Sequence, residues 1–153
     1  MPIVLEPRID VQAVDPEARE AIGAMDAYVA RSGLEPSLLE LVRTRASQIN
    51  GCAYCVDMHT KDARARGETE QRLYGLSVWR ETPYYTDRER AALAWTEAVT
   101  LVHDGHVPDE VYAEARSQFS EQELIALTVA VIAINAWNRL AIAVRTVPGT
   151  YQP

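Results

Sequence analysis

Two cysteines and one histidine carry the chemistry that this sequence can perform. Cys52 and Cys55 are separated by two residues, and His59 follows four positions after the second. A CxxC spacing at a helix start lets two thiols close a disulfide, which is the arrangement of a redox dithiol. Helical residues step about 100° around the axis, so Cys52, Cys55 and His59 fall within an arc of about 60°. Cys55 and His59 form an i, i+4 pair, near enough for the imidazole to meet the thiol directly or through one water. The reactive species in such chemistry is the thiolate.

Magnitudes set what the site must supply. A free thiol ionises near pH ~8.5, so only a small fraction is thiolate at neutral pH. A helix N-terminus contributes ~0.3–1 kcal/mol to an anion, which is less than one pKa unit. His59 as proton acceptor supplies more, and a carboxylate on its far nitrogen would hold the tautomer and strengthen the base. Two other readings of the cysteines stand beside this one. They can be half of a zinc site completed from His59, His103 and His106, the three histidines of the chain, although a second CxxC is missing. They can also be an inert buried pair, against which Gly51 and the shared face with His59 argue. His103 and His106 read as polar turn residues, and Trp79, Trp95 and Trp137 as core. No metal or cofactor is expected.

The elements that must position these groups are helical. Residues 1–14 contain prolines and lack periodicity, so they read as an extended N-terminal arm. Asp15-Pro16-Glu17 is a helix start, with an N-cap, a proline at the first helical position and an acid in the first turn. That helix is expected to stop at Gly33. A second opens at Pro36 and ends near Asn50-Gly51; a third runs from the cysteines to about Arg66. A short helix spans about 70–76, and a loop marked by Pro83 runs over 80–85. Thr86-Asp87-Arg88-Glu89 and Ser120-Glu121-Gln122-Glu123 are capping boxes, opening helices to about His103 and about Arg145. Between them lies a helix from Asp109 to about Gln118. No segment alternates with period two, so no sheet is expected. Ile49-Asn50 and Ile134-Asn135 form a weak internal echo, each late in an apolar helix.

Composition bounds the rest. The chain has 153 residues, the size of one domain, and 48% of them are hydrophobic, enough for a core without disulfide staples. The formal charge is −7 and the pI about 5.0. This argues against nucleic acid or an anionic membrane as main partner. The first residues carry neither a basic start nor a sustained apolar run, so no signal peptide is expected. The apolar stretch from Leu124 to Ile134 is short for a bilayer and reads as a buried helix. A cytoplasmic location follows by default, where a permanent disulfide staple is not expected.

The run from Glu40 to His59, with Ser47-Gln48-Ile49-Asn50-Gly51-Cys52, Cys55 and Asp57-Met58-His59, resembles the AhpD-like branch of the carboxymuconolactone decarboxylase family. It combines a Glu, eleven residues, the CxxC, three residues and a His. The likeness extends over most of the chain from about Asp15. It implies an all-α fold over a single domain, residues 1–153, and a homo-oligomer, often a trimer or hexamer. It also implies peroxide reduction by the cysteine pair. By position, Cys55 would be the peroxidatic thiol, Cys52 the resolving thiol, and Glu40 with His59 the proton relay. The partners implied are a small hydroperoxide substrate and an external dithiol reductant. Where AhpD has a His before the second cysteine, this chain has Tyr54, a far poorer base with a phenol pKa of ~10.

Three alternatives remain at this level. A general disulfide reductase would use the same dithiol with little peroxide activity. A redox-sensing or scaffold oligomer would be built on the apolar helix from Leu124 to Ala143. A decarboxylase of the same family is the third, but it does not depend on a cysteine pair.

Overall fold

A tight reversal at Gly51 sets the architecture around the cysteines. The helix before it, α3 (Pro36–Asn50), ends on Gly51 at φ 69°, in the left-handed region that glycine enters without a Cβ penalty. The amide of Cys52 donates back to the Ser47 carbonyl at 3.0 Å and closes the end of the helix. The next helix, α4 (Ala53–Ala65), begins two residues later with Cys52 as its N-cap. The two helices pack side by side, so that Glu40, in the second turn of α3, faces His59, midway along α4.

The computed structural model describes residues 3–153, and among these it is helical with no strand. The fold class expected from the sequence, all-α with the CxxC at a helix N-terminus, is therefore observed. Before α3 come α1 (Val11–Val14) and α2 (Pro16–Ala30). After α4 come α5 (Glu70–Gly75), a 3-10 segment over Leu76–Glu81, α6 (Asp87–Thr100), α7 (Asp109–Gln118) and α8 (Glu121–Val144). Both capping boxes form, at Thr86 with Glu89 and at Ser120 with Glu123. Asp15 caps α2 through the Ala18 amide.

Three expectations are corrected. The arm is not extended throughout: Asp10 accepts from the Ala13 amide and starts the single turn of α1. Its first two positions lie outside the described residues. The chain over 76–81 is a 3-10 turn and not a helix end followed by loop, because Leu76 and Trp79 are buried and the Trp79 indole donates to Glu97 Oε1 at 2.8 Å. The helices expected to reach Gly33 and His103 stop at Ala30 and Thr100. As expected, the apolar stretch lies within the long helix opened at Ser120, here of 24 residues, which by length and composition is long enough to cross a membrane.

The packing of α8 gives it another role. It lies against α2, α3 and α6 and supplies Leu127, Val131 and Ile134 to the core. A polar ladder crosses this apolar interior. Asn50 Nδ2 donates to both Asn135 Oδ1 and Asn138 Oδ1, each at 2.9 Å. Asn138, fully buried, donates to Ser47 Oγ at 3.0 Å, and Asn135 donates to Thr100 Oγ1 at 3.1 Å. The two Ile-Asn pairs of the sequence echo thus meet at one crossing of α3 and α8. Buried amides are stable only when their donors and acceptors are matched, so the ladder fixes the register of these helices. On the outer side of α8, Ile125, Ile132 and Ile142 are exposed.

Asn138→Ala should cost about 2–3 kcal/mol in denaturant unfolding, because Ser47 and Asn50 each lose a buried partner. Ser120→Ala should cost nearer ~1 kcal/mol, as for other N-caps.

Candidate active site

One face of α4 carries the chemistry. Cys52, Cys55, His59 and Asp62 follow one another at helical spacing, and Arg66 stands at the end of the stripe. Cys52 and Cys55 are joined in a disulfide with Cα atoms 5.3 Å apart. The two sulfurs are not equivalent. Both are buried, but Cys52, as N-cap, accepts a hydrogen bond from the Cys55 amide at 3.4 Å. Cys55 lines the cavity above the site and Cys52 does not. Ala46 of α3, Ile134, Trp137 and Ala141 of α8, and Tyr54 pack around the pair.

The carboxylate comes from the neighbouring helix. Glu40 Oε2 lies 2.9 Å from His59 Nδ1, with both side chains buried. The other oxygen, Oε1, accepts from Arg43 at 3.0 Å. Arg43 is 3.6 Å from Asp26 of α2, and the Trp137 indole donates to the same Asp26 at 2.6 Å. Burial alone would push the Glu40 carboxyl up. The hydrogen bond and charge of His59, reinforced by Arg43, outweigh it and hold the group below its ordinary value. A buried glutamate is stable here because the His59 imidazole and the Arg43 guanidinium each hydrogen-bond one of its oxygens.

A cavity of about 750 Å3 opens over this face. Its floor holds Glu40, Cys55, His59 and Asp62; Ile134, Trp137 and Leu140 of α8 form an apolar wall. Pro7 and Ile9 of the arm and Thr146 and Val147 beyond α8 complete it. The last residues are strapped onto α4. The Gly149 amide donates to Asp57 Oδ2 at 3.1 Å, Lys61 donates to the Tyr151 carbonyl at 3.1 Å, and the Tyr151 hydroxyl donates to Asp62 Oδ1 at 2.7 Å. Donor atoms of Glu40, His59 and Asp62 lie within 4.8 Å of one another, near enough to share a metal ion. Arg43 and Tyr151 already occupy oxygens of the two carboxylates, and a guanidinium beside Glu40 repels a second cation.

The structure therefore brings together all four residues singled out in the sequence: Glu40, Cys52, Cys55 and His59. His103 and His106, considered for a zinc site, lie exposed in the turn before α7, away from the cavity lining. Arg43, Asp26, Asp62, Tyr151 and Trp137 were not singled out for the site. Asp62 was findable from periodicity, since it continues the Cys52-Cys55-His59 stripe. Arg43, one turn after Glu40, was findable in the same way. Asp26, Trp137 and Tyr151 arrive from distant segments and leave no local signal.

Fold and site together define an AhpD-like helical domain with a dithiol-disulfide pair at a helix N-terminus. The carboxymuconolactone decarboxylase family model matches residues 16–98, and the chain belongs to that family. The uncharacterized protein YdfG of Bacillus subtilis (strain 168) is 41% identical over 136 residues, covering 89% of this chain and 92% of YdfG. A crystal structure from Agrobacterium tumefaciens superposes with a TM-score of 0.91 at 44% identity, covering 95% of this chain and all of that one. That protein is of unknown function and provisionally assigned as the antioxidant defence protein AhpD. The debrominase Bmp8 shares the fold at a TM-score of 0.77 and 18% identity, covering 91% of this chain and 75% of its own. The family is enzyme-related, and its fold alone does not select a reaction.

The Glu40 pair makes a prediction about acid stability. Its folded pKa lies below the ordinary 4.5, so its contribution is complete above that value and is lost as pH falls through the folded one. Wild-type stability should fall more between about pH 7 and about pH 3.5 than that of Glu40→Gln, measured by urea unfolding at each pH.

Proposed function

We propose that the protein is a thiol-dependent peroxidase that reduces organic hydroperoxides through Cys55 and Cys52. The observation that carries this reading is the asymmetry of the pair: a cavity-facing Cys55 beside the buried His59–Glu40 hydrogen bond, with Cys52 sealed behind it. In the reduced enzyme His59, oriented by Glu40, takes the Cys55 proton. The thiolate attacks the terminal oxygen of the hydroperoxide, the O–O bond breaks, and the alkoxide leaving group takes the proton from His59 to become an alcohol. Cys55 is then a sulfenic acid. Cys52 attacks its sulfur, a water leaves, and the disulfide is formed.

The return half uses the same asymmetry. An external dithiol attacks the cavity-lining Cys55 sulfur, and Cys52 leaves as the thiolate. Its charge falls on the Cys55 amide and the start of α4, where a helix favours an anion. The second thiol of the reductant releases Cys55, and the reductant departs oxidised. Tyr54 packs beside the pair and offers a hydroxyl but no strong base. The base role thus rests with His59.

The cavity, far larger than hydrogen peroxide needs, supports an organic substrate with an apolar body against Ile134, Trp137 and Leu140. The exposed Ile125, Ile132 and Ile142 on α8 support a homo-oligomer, a trimer or hexamer as the resemblance implies. The acidic charge argues against nucleic acid or an anionic membrane as the main partner.

Steady-state reduction of an organic hydroperoxide with a small dithiol tests the reading. Cys55→Ser should fall to background. Cys52→Ser should oxidise once and stop, with a sulfenic acid on Cys55 that dimedone labels. Wild-type turnover in Cys55→Ser would overturn it.

A further inference from the structure

The chemistry above uses Glu40 and His59 but leaves a second, half-buried carboxylate of the cavity unexplained. Asp62 lies one turn after His59 on the same face of α4 and lines the same cavity. Its donor atom is within 4.8 Å of those of His59 and Glu40, the span of a single bridging water. We propose that Asp62, oriented by Tyr151 of the carboxy-terminal strap, is a positioning residue that holds His59 as the imidazolium facing the Cys55 thiolate. The inference rests on the thiol reading of the site and goes beyond the Glu40–His59 relay.

The charge balance singles out Asp62. Glu40 already shares its charge with Arg43 at 3.0 Å, and Arg43 in turn touches Asp26. Among the described residues no ion pair reaches Asp62, whose hydrogen-bond partner is the neutral Tyr151 phenol at 2.7 Å. Arg19 donates to Gln12 at 2.9 Å, and Arg66 is exposed at the end of the α4 stripe. Asp10 caps α1, Asp57 is paired with Lys61, and Tyr54 adds a neutral hydroxyl. Asp62 is thus the carboxylate near His59 that no guanidinium or ammonium offsets. An anion there favours the charged imidazole.

Tyr151 is built into this arrangement. The strap that delivers it is fixed at two further points, Asp57 to Gly149 and Lys61 to the Tyr151 carbonyl. The Asp62 hydrogen bond, with burial and the nearby Glu40, pushes the phenol up to about 12, so it remains a donor at neutral pH. Replacing the hydroxyl frees Asp62 to turn to solvent.

The sign of one shift separates this role from simple proximity. A carboxylate acting directly on Cys55 repels the thiolate, so its removal would lower the pH midpoint of thiol reactivity. Acting through His59, its removal raises that midpoint. The experiment is the pH dependence of iodoacetamide alkylation at Cys55, mapped by mass spectrometry in reduced protein. Asp62→Asn should move the midpoint up by about 0.5–1 unit and slow alkylation at neutral pH about 3–10-fold. Asp62→Glu should restore most of it, and Tyr151→Phe should shift it in the same direction by less. In His59→Ala the Asp62→Asn shift should disappear. An unmoved or lowered midpoint in folded Asp62→Asn overturns the inference, as does an equal upward shift in the His59→Ala background. If Asp62→Asn fails to fold, Tyr151→Phe, which removes a single hydroxyl, carries the same test with the same sign. These outcomes are separable from the peroxidase reading. Hydroperoxide turnover with an unmoved midpoint rejects Asp62 alone. The expected midpoints without turnover reject the peroxidase and uphold Asp62.

Discussion

The hydrogen bond between Glu40 and His59 is the constraint on which the rest of the site depends. It spans two helices and places a carboxylate and an imidazole in the protein interior. A lone buried carboxylate would be neutralised or expelled, so the fold must supply partners. It supplies Arg43 from the same helix, then Asp26 from α2, then the Trp137 indole from α8. Three helices are thereby tied to the geometry of one imidazole. The Gly51 reversal and the Asn50–Asn135–Asn138 ladder fix the register that lets α3 and α4 present these groups to each other.

The same geometry gives the two cysteines different surroundings. Helix capping places an amide on the Cys52 sulfur, while the first turn of α4 puts Cys55 on the cavity lining. A symmetric pair would be open to attack on either sulfur. In the proposed cycle this one would take substrate and reductant at Cys55 and leave the helix N-terminus for the departing Cys52 thiolate. A debrominase shares the fold at low identity, so the scaffold admits more than one reaction, and the side chains on the cavity floor decide.

Much of this was legible in the sequence, for identifiable reasons. Capping boxes at Thr86 and Ser120, prolines at the first helical positions and glycine after α3 are local signals, and local signals set helix ends. The Cys52-Cys55-His59 face followed from helical period alone. Glu40 did not: its place beside His59 depends on how α3 and α4 pack, and the expectation rested on the family resemblance. The 3-10 turn over 76–81 was missed because burial of Trp79 against Glu97, a contact between distant segments, overrides the loop signal of Pro83. The length of α8 was legible from its capping box and the stop near Arg145, even though Asn135, Asn138 and Arg139 interrupt the apolar run. In the structure, both asparagines are satisfied within the bundle and the helix continues. Asp26 and Tyr151 entered the site from far along the chain, where no periodicity reaches.

The account turns on whether the Glu40–His59 pair drives oxidation of Cys55 by a hydroperoxide. The most direct measurement is a single turnover: fully reduced protein mixed with one equivalent of an organic hydroperoxide, followed by stopped flow and intact-mass analysis. The account predicts one Cys52–Cys55 disulfide and one alcohol per hydroperoxide consumed, with the rate in His59→Ala lower by about 100-fold or more. Thiols that survive the hydroperoxide, or a His59→Ala protein that oxidises at the wild-type rate, would contradict it.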